Sequence, residues 1–324
     1  MFDVVTDIFG HFIDPRKRVF VGYLLVSVLI AIAWLIFVRG KSLNNSIKFL
    51  FNKKIWLSRS SRADFFIFLI NRCISIVVSP VLITQMVIGT AIYYWLHGID
   101  WLRSGSLQHF PDYLIIFLFT IFIFILDDFS KYWVHRWMHK WPILWALHKV
   151  HHSAEVLTPL TVYRTHPLEG IVFTIRGTFT QGISISSFIF FFGNSVDLLT
   201  VLGANLFLFL FNTAGSNLRH SHIGIRYWSW LEYVLISPAQ HQLHHSIDIA
   251  HHDKNFGAAL AIWDYVFGSL HHSEEIENLH LGIGTDDKNF NKLSTLYLSP
   301  VLEIIQILGH RTGSIFSKLK SIKK

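Results

Sequence analysis

Residues 19 to 38, VFVGYLLVSVLIAIAWLIFV, are twenty consecutive positions without a charge. At about 1.5 Å of helical rise per residue the run covers ~30 Å, the thickness of a bilayer's hydrocarbon core. There a chain has to satisfy its own backbone polar groups, which restricts it to helices or a closed barrel. The run is too long for a typical signal-peptide core, follows a start that is acidic as well as basic, and lacks a small-x-small cleavage pattern. It is therefore read as a retained span. Further apolar blocks lie at roughly 65 to 96, 113 to 134, 168 to 192 and 196 to 214, in a chain of 324 residues that is 52% hydrophobic and 15% charged. The expected fold is an all-α integral membrane protein with about four to five transmembrane helices. The second block is ambiguous: it is long enough to kink at Pro80 or to form a re-entrant hairpin, and Asn71 and Arg72 suggest an interfacial start.

Basic residues set the expected orientation. The segment 39 to 64 holds seven Lys or Arg, against three in the stretch before the first span, which places that loop on the cytoplasmic side. Threading five spans from there brings 135 to 167 and 215 to 324 to the same face. Lys318, Lys320, Lys323 and Lys324 agree, as does the single Cys73, which offers no disulfide framework. The net charge of +7 calls for no nucleic-acid partner, because the basic residues flank spans, where anionic headgroups attract them.

Eleven of the twenty histidines fall in two windows, 135 to 166 and 220 to 245, both on that one face. Asp128, Tyr132, His135 and His139 are spaced by four, three and four, so on a helix continuing the third span they form one stripe. After Trp141, Pro142 opens a new helix, on which His148, His151 and His152 follow at i, i+3 and i+4. Ser237, Pro238 and Gln240 form a capping-box start for a second short helix, on which His241, His244 and His245 repeat the same arrangement. In each trident the first histidine shares a face with both others. The adjacent pair diverges by about 100°, so neighbouring histidines can serve two different metal ions. His166 stands at the entrance to the fourth span. Of His220 and His222, His220 is the one expected to reach the site, while His222 and Asn255 are further candidates for it. Asp128 near the end of an apolar span needs a partner. Its expected role, with Tyr132 beside it, is to accept the free ring N–H of a ligating histidine, the alternative being an ion pair with Lys131 or Arg136. Arg176, within the fourth block, fits either an acid partner or a headgroup pocket.

Imidazole suits zinc, copper, iron and nickel alike, but eight or more histidines exceed the four that saturate a tetrahedral zinc, which implies two metals. Haem would need only one or two axial histidines on well-separated elements. A dinuclear centre of neutral nitrogen ligands against the bilayer fits non-haem iron and O2 chemistry on a lipid, whose main offering is unactivated C–H bonds. Two readings from other classes stand beside it. A metal transporter or sensor would place ionisable residues along the middle of the spans, and a dinuclear zinc hydrolase would work without O2.

The segments DDFSKYWVHR, HRWMH, HKVHHS, YRTHPLE, HQLHHS and NFGAALAIWDYVFG resemble the fatty acid hydroxylase and sterol desaturase superfamily over roughly residues 113 to 270. The resemblance implies a helical membrane fold with a cytosolic helical cap holding a di-iron centre, O2 as co-substrate and an external electron donor. Carried over by position, the metal ligands are His135, His139, His148, His151, His152, His241, His244 and His245, with His166 and His220 as additions. The implied activity is O2-dependent hydroxylation of a fatty acyl, sterol-like or ether lipid, or desaturation at the same site. The implied partner is a separate cytochrome b5-, ferredoxin- or reductase-type redox protein, at either a bacterial inner membrane or the endoplasmic reticulum. The expected organisation is an N-terminal transmembrane region (1–112), a catalytic region (113–275) and a cytosolic or interfacial tail (276–324).

Overall fold

The computed structural model describes residues 2–78, 84–193, 196–273, 279–284 and 288–322. Its helices are α1 (Phe2–Ile13), α2 (Val21–Phe37), α3 (Leu43–Leu50), α4 (Lys53–Trp56), α5 (Arg59–Val78), α6 (Gln85–His97), α7 (Asp112–Lys140), α8 (Pro142–His152), α9 (Pro167–Phe192), α10 (Leu206–Thr213), α11 (Pro238–His244), α12 (Ile262–Val266) and α13 (Leu293–Ile322). The named strands among these residues are a two-residue antiparallel hairpin, β1 (Thr200–Val201) and β2 (Ala204–Asn205).

Helix α7 sets the frame. Its 29 residues make it the one described helix both long and apolar enough to cross a membrane. At ~44 Å it is roughly 14 Å longer than a hydrocarbon core is thick, and His135 and His139 stand in its last turns, past the apolar stretch. Tyr113, Phe117, Phe122 and Ile125 stay exposed along its length, an apolar outer face of the kind a lipid-facing helix has. The shorter apolar helix α2 buries Tyr23, Ser27, Ala31 and Leu35, every fourth residue, and turns Leu25 and Leu29 outward.

The second apolar block is two helices, α5 and α6. Pro80, the expected kink, lies outside the described residues. Helix α6 packs along α9 through glycine: a Cβ on Gly182 would stand 2.8 Å from Ile88 Cγ2 and 3.1 Å from the Gly89 nitrogen. Such close backbone approach is how membrane helices gain packing contacts without a hydrophobic driving force. Gly182→Val is expected to destabilise the chain by about 1–3 kcal/mol, because neither the β-branched Ile88 nor the helix backbone can yield. Thermal unfolding in detergent checks this, and an unchanged midpoint would contradict it.

The fifth block, 196 to 214, does not form the expected span. Its chain turns at Leu202 (φ 51°) and Gly203 (φ 79°), pairs β1 with β2, and restarts at Asn205, whose side chain caps α10. Eight residues of helix reach only ~12 Å. The apolarity of this block serves packing instead: Phe209 meets Tyr23 of α2 edge to face at 5.6 Å, and Phe207 meets Phe124 of α7 at 5.5 Å. The region carrying the second histidine window is likewise less helical than expected, with α11 and α12 only seven and five residues long and the rest turns. Helix α13 closes over α8, where Leu296 joins Val150, Ala63, Ile67 and Phe290 in one buried cluster.

Candidate metal centre

Each histidine box is placed by a local device that the sequence names. Helix α7 carries His135 and His139 on one face out of its apolar span. Trp141 breaks the helix with an extended backbone, and Pro142 at the first helical position starts α8. Ser237 and Gln240 exchange the two hydrogen bonds of a capping box, Oγ accepting from the Gln240 N–H at 3.1 Å and Oε1 from the Ser237 N–H at 2.9 Å. That cap starts α11, and His241, His244 and His245 follow it.

The structure brings nine histidines into two groups. In the first are His135, His139, His148, His152 and His244; in the second are His151, His220, His241 and His245. Within each, one ring nitrogen per residue lies within 4.8 Å of all the others. Both tridents divide two to one. His148 and His152 enter the first group and His151 the second, while His241 and His245 enter the second and His244 the first. The adjacent residues diverge as their 100° separation predicts, and the i, i+4 pairs stay together.

The hydrogen bonds behind the first group fix which nitrogen faces inward. His135 Nδ1–H donates to the Phe256 carbonyl at 2.8 Å, and His244 Nδ1–H donates to the Lys254 carbonyl at 2.7 Å. His148 Nδ1 lies 2.7 Å from Glu169 Oε1, both groups being buried. A carbonyl can only accept, so His135 and His244 carry their protons on Nδ1 and present bare lone pairs on Nε2. These two Nε2 atoms face each other at 3.0 Å. Two acceptors at that distance repel unless a cation lies against both. Protonation does not supply one, since burial holds His244 down to about 3. Nε2 of His139, His148 and His152 is also buried with no hydrogen-bond partner among the described residues. The donor set thus fits a nitrogen-ligated metal ion.

The second group fits with one difference. His151, His241 and His245 have buried, unpartnered Nδ1 atoms. His220 Nε2 lies 3.2 Å from His151 Nε2 and 3.0 Å from His241 Nε2. Its Nδ1 faces Arg18 Nη2 at 3.0 Å. Because a guanidinium only donates, the neutral His220 ring carries its proton on Nε2, and a metal binding there displaces it. Burial, reinforced by neighbouring imidazoles, holds His151, His152, His220, His241 and His245 well below the usual histidine range, so all five are neutral at physiological pH.

Five expected site residues lie elsewhere. His166 caps α9, accepting the Leu168 N–H at Nδ1 and donating from Nε2 to the Tyr297 carbonyl, which leaves no lone pair for a metal. His222 donates to the Phe49 carbonyl. Asn255 donates to the Gln240 carbonyl and accepts the His271 N–H. Asp128 touches no histidine and makes no ion pair with Lys131 or Arg136. It accepts the Ala259 and Leu260 N–H groups and the Trp263 indole N–H. Tyr132 Oη lies 2.9 Å from Ser269 Oγ and accepts a hydrogen bond from Arg136. These residues act one step back. Asp128 and Asp264 hold the 256–260 backbone, Asp264 accepting the Phe256 and Gly257 N–H groups. Asp253 (φ 59°) and Asn255 (φ 56°) take left-handed conformations on either side of Lys254. The bent segment aims the Lys254 and Phe256 carbonyls at His244 and His135. Gly257 has to be glycine, for a Cβ would lie 2.6 Å from the Leu260 carbonyl oxygen.

The carboxylate expected behind a histidine exists, but it is Glu169, in the first turn of α9. It was readable as an acid at the entrance of an apolar helix three residues after His166. Replacing it with leucine is expected to weaken metal binding about 10–100-fold, and with glutamine less, because Gln keeps an acceptor for His148 Nδ1–H. Chelator titration of the metal-loaded protein measures this, and equal affinities in all three proteins would refute the role. Arg176 is resolved by Asp127, whose Oδ1 lies 2.8 Å from its Nη1.

A cavity of about 600 Å3 opens on both groups, touching His135, His148, His151, His220 and His241. It continues past Ile123, Phe124, Phe173, Leu198 and Leu208 along the inner sides of α7, α9 and α10. Its size suits a ligand far larger than water.

Residues 120–269 match the fatty acid hydroxylase family. This stretch, just under half of the chain, is similar to fatty acid hydroxylases. The relatives it matches are lipid hydroxylases and desaturases, which are oxidoreductases. The chain is similar to the alkylglycerol monooxygenase of Homo sapiens, 31% identical over 47% of this chain and 30% of that protein. It is similar to the Delta(7)-sterol 5(6)-desaturase ERG3B of Gibberella zeae, 28% identical over 44% of this chain and 40% of that one. The ornithine lipid hydroxylase OlsE of Rhizobium tropici is 26% identical over 54% of this chain and 49% of its own length. The matches to the first of these curated relatives thus span 30 to 40% of their lengths. No solved structure matches the chain.

Proposed function

We propose that the chain is an O2-dependent di-iron monooxygenase that hydroxylates a C–H bond of a membrane lipid. The observation that carries this reading is the pair of buried, all-nitrogen histidine groups side by side at the end of an apolar cavity that follows the membrane helix. His135, His139, His148, His152 and His244 would hold one iron; His151, His241 and His245, with His220, would hold the other. Two irons bound there supply O2 activation and hydrogen abstraction from an unactivated C–H bond.

The protein's own part is placement and exclusion. Glu169 and the carbonyls of Phe256 and Lys254 fix the ring orientations, so the ligand lone pairs are aimed before any metal arrives. Burial keeps the imidazoles neutral, which is the protonation state a metal needs. The apolar walls hold a lipid chain against the histidine groups and keep bulk water from it. We place these groups on the cytoplasmic face, where a separate redox protein would deliver electrons, and the catalytic region at 113–275 between the N-terminal region 1–112 and the tail 276–324. A transport path through the span is disfavoured, since Asp127 is taken by Lys131 and Arg176 and Asp128 by three N–H donors.

Lipid extracts of cells with and without the protein, grown with 18O2, test the reading. Hydroxylation predicts a lipid heavier by one labelled oxygen. A lipid lighter by two hydrogens would favour desaturation, the activity named for the sterol desaturase relatives. Metal uptake into proteoliposomes with no O2 consumption would overturn both.

A further inference from the structure

The charged groups on the cavity wall are Arg16, Arg18, Asp127, Asp128, Lys131, Glu169 and Arg219. Five of the seven are accounted for. Arg16 pairs with Asp14, Lys131 with Asp127, Asp128 with three N–H donors, and Glu169 with His148. Arg18 and Arg219 remain. Arg18 Nη2 and Arg219 Nε donate to one and the same acceptor, the Ser216 carbonyl, at 3.0 and 3.2 Å. Arg219 donates also to the Ala258 carbonyl and lies over the Phe211 ring, and it is only 6% exposed. Arg18 is largely buried, and its Nε has no hydrogen-bond partner among the described residues. Neither guanidinium has a carboxylate partner among the described residues.

Two like charges gathered on one carbonyl, shielded from water and opening on a cavity, are costly unless an anion joins them. The planar forks of two guanidiniums match the oxygens of a carboxylate or phosphate. We infer that Arg18 and Arg219 form a seat for the anionic headgroup, carboxylate or phosphate, of a single-chain lipid whose tail runs along Ile123, Phe124, Leu198 and Leu208. The assignment deepens the lipid-oxygenase reading and rests on it for the lipid nature of the ligand. It also gives the N-terminal segment, which lies outside the matched 120–269 region, a part in selecting substrate.

The test uses the full chain in detergent with cis-parinaric acid as a fluorescent bound chain, displaced by hexadecanoate, hexadecyl phosphate, methyl hexadecanoate or inorganic phosphate. At least one of the two anionic lipids is expected to displace the probe at a concentration about tenfold or more below that of the methyl ester, with inorganic phosphate ineffective. Arg18→Gln should shrink that ratio, which does not depend on how tightly the probe itself is held, to under twofold, and Arg18→Lys should keep most of it. Equal displacement by acids and ester overturns the seat, as does a full ratio in Arg18→Gln. Displacement by inorganic phosphate overturns the lipid headgroup in favour of a free anion. Should Arg18→Gln not fold, the wild-type ratio and Arg18→Lys still decide. Binding needs no O2, so charge selectivity without O2 consumption sinks the oxygenase reading alone, whereas lipid hydroxylation without charge selectivity sinks the seat alone.

Discussion

His244→Ala and His245→Ala, neighbours in sequence, are each expected to remove about one of two irons per chain, and from different sites. The reason is the two-to-one division of each trident between the groups. A metal that loses one of four or five nitrogen ligands, in a pocket where the remaining lone pairs face each other, loses both charge compensation and geometry. The sharper form of the prediction compares pairs. His152→Ala with His244→Ala, ninety-two positions apart but in one group, should still retain about one iron. His244→Ala with His245→Ala, adjacent but in opposite groups, should retain almost none. Elemental analysis of purified proteins, checked for folding by size-exclusion chromatography, reads the outcome. If instead each trident served one metal, the adjacent pair would spare an iron and the distant pair would lose both. Product formation is expected to vanish in all four proteins, so metal counting, not activity, separates the two arrangements.

The sequence made the tridents legible because their spacing is a local property. An i, i+3, i+4 pattern on a helix with a readable start, Pro142 or the Ser237–Gln240 box, determines which rings share a face whatever the rest of the chain does. What it could not determine is which carboxylate or carbonyl lies behind a given ring, because that depends on contacts between distant segments. Asp128 shares a helix face with His135, yet it is turned to the backbone of Ala259 and Leu260 and the indole of Trp263. Glu169, from the next long helix, reaches His148 instead. The His166 reading failed for a related reason: a histidine before a Pro-initiated helix is well placed to cap it, and two hydrogen bonds exhaust its ring. The block 196 to 214 misled because apolar composition records burial without saying whether lipid or protein does the burying. Tyr23 and Phe124, packed on Phe209 and Phe207 of the block, supply the protein in this case. Arg18, near the chain's start, had no local signal linking it to His220, 202 positions away.

Arg164 carries the second large expected effect. It is fully buried, as is Asp64, and the two form an ion pair at 2.9 Å. The guanidinium also donates to the carbonyls of Ser60, Val150 and Phe290 and to Ser153 Oγ, tying α5, the end of α8 and the turn before α13 to one point. Val150 and Ser153 flank His151 and His152, so the same point fixes the register of the second box. Arg164→Met leaves the Asp64 carboxylate buried without a counter-charge, held only by hydroxyl donors such as Thr161 at 2.6 Å, and takes one donor from each of the three carbonyls. Breaking a buried pair from one side costs about 3–5 kcal/mol, a large part of a typical 5–15 kcal/mol stability. An unfolding midpoint lower by on the order of 10 °C in detergent is expected, with iron lost alongside. Asp64→Leu should cost less, because the guanidinium keeps its carbonyl acceptors. Joining the two substitutions should recover part of the Arg164→Met loss, since the stranded carboxylate is gone, while the undonated carbonyls prevent full recovery. Additive losses in the double substitution would show that the pair is not coupled and that Arg164 acts through its carbonyl bonds alone.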